Sequence, residues 1–246
     1  MPKLSIVIAA YNEEKRLPET LERLFGFLER ASLSYEIVIV DDGSRDRTLE
    51  LVKKRAETKP QLRYLTHFPN RGRGVSIREG VLASAGEFVL ETDADGSVAD
   101  EAILRFLKHF AEHPEIDAVF GSRELPGSRI ARHQPILRIF LGQGFILLAK
   151  ILFRMWCTTD FTLGFKMFRR RAATDIFQHQ FDSHFLAEAE IAYVAKRRKW
   201  NVTELPVTWS DNRDSRVRPL RDSFRSFQGM IKILWRDVRG KYIAAR

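Results

Sequence analysis

Two carboxylates one residue apart, Asp93 and Asp95, close an apolar run in the segment Glu87-Phe-Val-Leu-Glu-Thr-Asp93-Ala-Asp95-Gly96. Side chains alternate along a strand, so both acids point the same way where the strand frays into a loop. Hard oxygen ligands in that arrangement suit Mg2+ or Mn2+, which keep waters and also bind a substrate's phosphates. A second acidic pair, Asp41-Asp42, ends the earlier run Tyr35-Glu-Ile-Val-Ile-Val40. In open α/β sheets, ligands lie beyond the carboxyl ends of the strands. Two strands ending in acids therefore predict one crevice for a metal and a nucleotide, and this outweighs Asp-x-Asp-Gly as a plain turn.

Asn70-Arg-Gly-Arg-Gly74 precedes a helical stretch. Its glycines allow close backbone approach, and Arg73 can neutralise a phosphate at the positive end of a helix. His109 and His113 have the i, i+4 spacing of a metal pair, but no third ligand stands nearby, so they read as an exposed helix face.

The elements that must carry these residues alternate through the first half. Strands are expected at 4–9, 36–40, 62–66 and 87–92. Helices are expected from Leu17 to Ala31, from Arg47 to Thr58 with Asp46 as N-cap, and from the glycine loop to about Ala85. Helix 100–112 and strand Ala118–Gly121 continue the series. Such alternation predicts an α/β fold with a mostly parallel sheet and right-handed crossovers. In the second half, Glu124–Gln134 reads as a loop and 136–156 as a helix. Then come Asp160–Phe168, a helical stretch near 183–199, strand Val202–Trp209 and a basic tail from Arg213.

Composition bounds the partners. Among 246 residues, 44% are hydrophobic and 30% charged, ordinary for a globular chain, but the formal net charge of +9 implies an anionic partner. The excess lies largely in the second half without a nucleic-acid motif, which argues against a nucleic-acid binder. Cys157 is the sole cysteine, so a reducing compartment is expected. A strand starting at Leu4 leaves no room for a signal peptide.

The most apolar stretch, Ile136–Trp156, is interrupted by Arg138, Gln143, Lys150 and Arg154, too often for a spanning helix. It is either a core helix or one lying in a membrane interface. In the tail, Phe224, Phe227, Ile231, Leu234, Trp235 and Val238 alternate with Arg221, Arg225, Lys232, Arg236 and Arg239. That pattern describes a basic amphipathic helix, which either docks on anionic lipid or packs on the domain.

Six motifs in register give the chain a likeness. They are Ile6-Val-Ile-Ala-Ala10-Tyr-Asn-Glu-Glu-Lys15-Arg-Leu-Pro18, Val40-Asp-Asp-Gly-Ser44, Asn70-Arg-Gly-Arg-Gly74, Thr92-Asp-Ala-Asp-Gly96, Gly121-Ser-Arg123, and Asp160 with Gly164-Phe-Lys166. From residue 3 to about 217 the chain resembles family 2 glycosyltransferases. The likeness is to the polyprenyl-phosphate branch, and more to dolichyl-phosphate glucosyltransferases than to the mannose synthases.

The resemblance implies a single GT-A (Rossmann-like) nucleotide-sugar-binding domain over residues 1–212, with amphipathic membrane-interface helices and residues 213–246 as a basic tail. It implies donor binding by Ala9, Tyr11, Asn12, Glu13, Asp42, Arg73, Asp93, Ala94 and Asp95. Mg2+ or Mn2+ would be held by Asp93 and Asp95, with Gln143 as a third ligand. Arg123, Arg138, Arg213 and Arg216 would take the acceptor phosphate. Asp95, Arg123 and Glu188 would be the catalytic set, with Glu188 preferred over Glu190. Ala9 stands where the family usually has proline, and Ser215-Arg216 where it has a Ser-Lys pair.

The implied activity is inverting transfer of a hexose, glucose from UDP-glucose, to a polyprenyl or dolichyl phosphate at the cytoplasmic face of a membrane, with peripheral attachment. A lipid phosphate is already ionised near neutral pH, so positioning and charge neutralisation outweigh a strong base. GDP-mannose as donor, or a saccharide hydroxyl as acceptor, keeps the fold and stays open. The hydroxyl version needs a carboxylate base.

Overall fold

The computed structural model describes residues 1–132, 136–184, 186–210 and 219–243, without the side chains of 131–143, 145 and 219–226. The first half forms as the alternation predicts. Strands β1 (Leu4–Ala10), β2 (Tyr35–Asp41), β3 (Leu62–Thr66) and β4 (Phe88–Asp93) are linked by helices α1 (Leu17–Arg30), α2 (Thr48–Thr58) and α3 (Arg73–Ala83). Pro18 sits in the first turn of α1, where its missing N–H costs nothing. Asp46 accepts the Thr48 backbone N–H at 3.0 Å and so closes the start of α2.

Helix α4 (Glu101–Glu112) and β5 (Ala118–Ser122) follow, then β6 (Arg129–Arg132), α5 (Ile136–Phe153), β7 (Phe165–Arg169), α6 (Arg170–Gln178) and α7 (Ala187–Arg197). Strands β8 (Val202–Pro206) and β9 (Thr208–Ser210) precede α8 (Pro219–Val238). The seven-stranded sheet has the order β3-β2-β1-β4-β7-β5-β8. Only β7 runs antiparallel to its neighbours. Strands β1 and β2 are buried on both faces, which explains their unbroken Val/Ile runs. Leu21, Leu24, Phe106 and Phe110 cover one face of the sheet. Ile77, Val81, Ile176, Val194 and Ile233 belong to the core on the other.

Four expectations change. The segment Glu124–Gln134 is not all loop, because 129–132 pairs in parallel with β9. The expected strand 202–209 is two strands parted at Val207, which gives its N–H to the Ser122 carbonyl. The stretch near 183–199 becomes helical only at Ala187. Helix α6 was not anticipated, although Ala172, Ala173, Ile176 and Phe177 stand at helical spacing and bury one face, which packs on α3 and α7.

Both second-half apolar helices are two-sided. Helix α5 buries Ala149 and Phe153 yet exposes Leu147 and Ile151. It ends at Phe153, before Arg154 at φ 52°. Helix α8 buries Met230 and Ile233 and exposes Phe227, Ile231 and Trp235. Among the described residues, no helix is long and apolar enough to cross a membrane.

Candidate active site

Sheet register brings the predicted residues to one edge. Ala9 lies opposite Val40 on one side and Asp93 on the other, and Ala10 lies opposite Asp41. The two acidic strand ends therefore flank the end of β1. Beyond it, Asn12 turns with φ 56° and gives its N–H to the Ser44 hydroxyl at 2.9 Å. Its side-chain oxygen accepts the Arg45 N–H at 2.7 Å, and the Glu13 N–H reaches the Thr48 hydroxyl at 2.7 Å. Glu13 pairs with Arg16. Tyr11 is half-buried at the mouth of this loop.

Asp42 is buried and holds the glycine loop from below. Its two oxygens accept the N–H groups of Arg71 at 2.8 Å and Gly72 at 2.9 Å. His67 adds a ring nitrogen at 3.2 Å and spans to Glu79 at 2.8 Å. Gly72 sits at φ 97°, and a Cβ there would strike the Ser183 carbonyl oxygen. A side chain is thus excluded by conformation and by space.

Arg73 reaches from that loop across the crevice. Its Nε and Nη2 donate to Asp93 Oδ1 at 3.0 and 2.8 Å, and its Nη1 donates to Glu188. Glu188 also takes the ammonium of Lys166, which is fully buried and bonds the Leu163 carbonyl at 2.6 Å. Lys166 lies 3.7 Å from Glu91, likewise fully buried. Gly164 makes the approach possible, since a Cβ there would lie 2.5 Å from Arg73 Nη2 and 2.7 Å from Asp93.

Charge state follows from this packing. Burial pushes the Asp93 carboxyl up, and Asp95 and Glu188 add to the push against Arg73. Glu188 is held down: burial would raise it, but Lys166 and Arg73 outweigh burial. Glu91 is pushed well up by burial and by Glu188.

At the end of β5, Arg123 clasps Asp160 with Nε at 2.7 Å and Nη2 at 2.9 Å, and Asp160 also accepts the Arg123 N–H at 3.1 Å. The guanidinium lies 5.3 Å from the centre of the Trp209 ring. Burial would raise Asp160, but the bonds from Arg123 hold it below the usual carboxylate range. Asp95 accepts the Ser97 N–H at 3.0 Å.

The structure therefore gathers Ala9, Tyr11, Asn12, Glu13, Asp42, Arg73, Asp93, Asp95, Arg123 and Glu188 along one sheet edge. Ala94 differs, because its side chain is buried in the core and only its backbone is left for a ligand. The side chains of Arg138 and Gln143 on α5, and all of Arg213 and Arg216, lie outside the described residues. His109 is half-buried on α4 and His113, exposed, lies just past its end, so the two do not form the exposed helix face expected. Asp160 and Lys166 stand in the sixth motif without a role assigned from sequence, and Glu91 is a site neighbour that sequence reasoning did not single out. The available signal for Lys166 was a lone cation within the apolar strand Phe165-Lys-Met-Phe168.

Asp93 and Asp95 fit a hard divalent cation. The Asp95 carboxylate adds to the cost of ionising Asp93, and a cation held beside them would relieve it. Among the described residues there is no cluster of three or more His, Cys, Asp or Glu that would cage a metal. The remaining positions would then fall to water and phosphate oxygens, as is usual for Mg2+.

Known proteins resemble this chain in sequence and in fold. The sequence pattern of the family described as Glycosyl transferase family 2 matches residues 5–177. The chain belongs to glycosyl transferase family 2. Within the family it is 34% identical over 238 residues to a dolichyl-phosphate beta-glucosyltransferase of Trichomonas vaginalis, covering 93% of this chain and 68% of that protein. A Homo sapiens protein of the same description is 30% identical over 254 residues, covering 98% and 77%. The fold is GT-A. Glucosyl-3-phosphoglycerate synthase from Mycobacterium tuberculosis, crystallised with Mn2+ and UDP-glucose, superposes with a TM-score of 0.64 at 16% identity, covering 95% of this chain and 78% of that one.

Proposed function

We propose that this family 2 glycosyltransferase moves glucose from UDP-glucose to a dolichyl or related polyprenyl phosphate, with inversion, at a membrane surface. Residues 1–212 form the catalytic unit in this reading, and 213–246 form the tail that meets the lipid. The names of the relatives support the donor and the acceptor. One observation in this chain carries the choice of acceptor. Glu188, the carboxylate a sugar hydroxyl would need as base, is bound by Lys166 and Arg73 and held below the usual carboxylate range. A group so paired is a poor proton acceptor, whereas an ionised phosphate needs none.

In this reading the acceptor phosphate oxygen attacks the anomeric carbon from the face opposite the leaving group. The new C–O bond forms as the bond to the donor's diphosphate breaks, and that electron pair leaves on UDP. A divalent cation held by Asp93 and Asp95 would supply Lewis-acid stabilisation of the diphosphate. Tyr11, Asn12 and Glu13 border the base and ribose. Asp42 keeps the turn at 71–74 in place, and Arg73 offers a fixed positive charge near the diphosphate. Arg123, aimed by Asp160, faces the acceptor phosphate, and its planar fork suits that geometry. Glu188 acts by placing Arg73 and Lys166, not as the base.

Thermal stabilisation by UDP, UDP-glucose, GDP and GDP-mannose, each with and without Mn2+, tests the donor assignment. A metal-dependent shift confined to the uridine pair, followed by glucose transfer to dolichyl phosphate, is expected. A shift confined to the guanosine pair would transfer the assignment to GDP-mannose.

A further inference from the structure

The second acid on α7 has been drawn into a different device. Glu190 is fully buried on the side of α7 away from Glu188. One of its oxygens accepts the backbone N–H groups of Phe181, at 2.8 Å, and Asp182. The other accepts the hydroxyl of Tyr242 and Arg236 Nη1, the latter at 3.1 Å. A carboxylate from α7 thus ties the chain's C-terminal element to the loop preceding α7.

That loop is the floor of the glycine turn. The Gly74 N–H donates to the Ser183 carbonyl at 3.0 Å. Arg78 Nη1 donates to the Gln180 carbonyl at 3.1 Å. Side chains at Gly72 and Gly74 would collide with the carbonyl oxygens of Ser183 and Asp182. The turn therefore follows the position of 180–184, with no slack between them. On the other side the fit is equally close, because a Cβ at Gly229 of α8 would strike Leu186. Tyr242, fully buried, packs edge-on against Tyr193 with ring centres 5.9 Å apart. Asp237 accepts the Tyr193 hydroxyl and Arg197 Nε, both at 2.7 Å.

We propose that Glu190, completed by Tyr242 and Arg236, is a positioning residue for the donor site: it sets loop 180–184, which sets the turn that presents Arg73. The C-terminal element is then part of the donor site at one remove, in addition to any contact with lipid. The proposal rests on reading Arg73 as a group that faces the donor's diphosphate.

The test uses the full chain in detergent, so that membrane attachment plays no part. Tyr242→Phe removes one hydroxyl and no packing volume. It is expected to raise KM for UDP-glucose about three- to tenfold, leave kcat within about twofold, and speed hydrogen exchange at the Gly74 amide. Glu190→Gln, which keeps an acceptor oxygen for the two amides, is expected to fall between wild type and Glu190→Ala. Asp175→Asn is the stability control, because Asp175 binds Arg198 and Trp200 away from the crevice. It should lower the melting temperature without moving KM. Unchanged Gly74 exchange in Tyr242→Phe overturns the proposal, and so does faster exchange with an unchanged KM. An equal rise in KM for Asp175→Asn would also overturn it, by reducing the effect to general stability. If the wild-type chain fails to turn over UDP-glucose, the donor reading fails, and the exchange result alone decides whether Glu190 controls the turn.

Discussion

At the residue scale, the crevice is a chain of alternating acidic and basic side chains, Asp93, Arg73, Glu188 and Lys166, with the buried carboxyl of Glu91 3.7 Å beyond, closed by contacts that leave little room for substitution. Asp95→Asn should fold normally but lose Mn2+-dependent stabilisation by UDP, with transfer down at least about a hundredfold. Gly164→Ala would push a methyl group into Arg73 and Asp93, 2.5 and 2.7 Å from the position of its Cβ. Its expected signature is a raised KM for donor, measured beside the melting temperature to separate misplacement from unfolding. Lys166→Met leaves two buried glutamates with one counter-ion fewer. Urea denaturation should show a loss of about 3–5 kcal/mol, the usual cost of breaking a buried pair from one side.

At the scale of elements, α8 has two unlike faces. Its inner face, Met230 and Ile233 with Tyr242 just beyond, is part of the core. Its outer face presents Phe227, Ile231 and Trp235, about half exposed, beside Lys232 and Arg239. Deleting the tail would therefore confound lipid binding with loss of core and of the Glu190 contacts. Changing Phe227, Ile231 and Trp235 together to serine isolates the outer face. Burying three half-exposed large side chains amounts to about 3 kcal/mol, so partitioning onto anionic vesicles should fall about a hundredfold. UDP–Mn2+ stabilisation should stay as in wild type. Vesicle binding that survives the triple change would assign attachment to α5 and the turn after it, where Leu147, Ile151 and then Trp156 are exposed.

At the scale of the whole molecule, acid sensitivity follows from carboxylates in opposed environments. Asp160 and Asp175 are held below the usual range: burial pushes both up, but hydrogen bonds from Arg123 to the first, and from Arg198 and Trp200 to the second, prevail. Their contribution is fully present above about pH 3.9, the value in an unfolded chain, and is lost as pH falls through the lower folded value. Glu190 is pushed up by burial despite its bonds, so its contribution runs the other way and weakens as pH rises through the window above about 4.3. Urea midpoints should therefore drop as pH falls below about 3.9. Asp175→Asn should be less stable at pH 7 yet show a shallower drop, and an unchanged slope would reject this account.

Much of this was legible in the chain. The order of elements from Leu4 to Ser122 follows from period-2 and period-3.6 patterns, and the acids at the ends of β2 and β4 announce the crevice. These signals are local, because each depends on neighbours a few residues away. What stayed hidden depends on contacts between distant segments. Strand β6 pairs only with β9, far along the chain, and Lys166 is explained only by Glu188, 22 residues on. Glu188 and Glu190 show the boundary best. The sequence by itself determined that a helix would carry two acids two residues apart, and an offset of about 200° sends them to opposite sides. Only the tertiary structure decided which side faces Arg73 and the crevice and which receives Tyr242 and Arg236. The physical reason is that a buried carboxylate goes where its charge and hydrogen bonds are met, and those partners come from other elements of the fold.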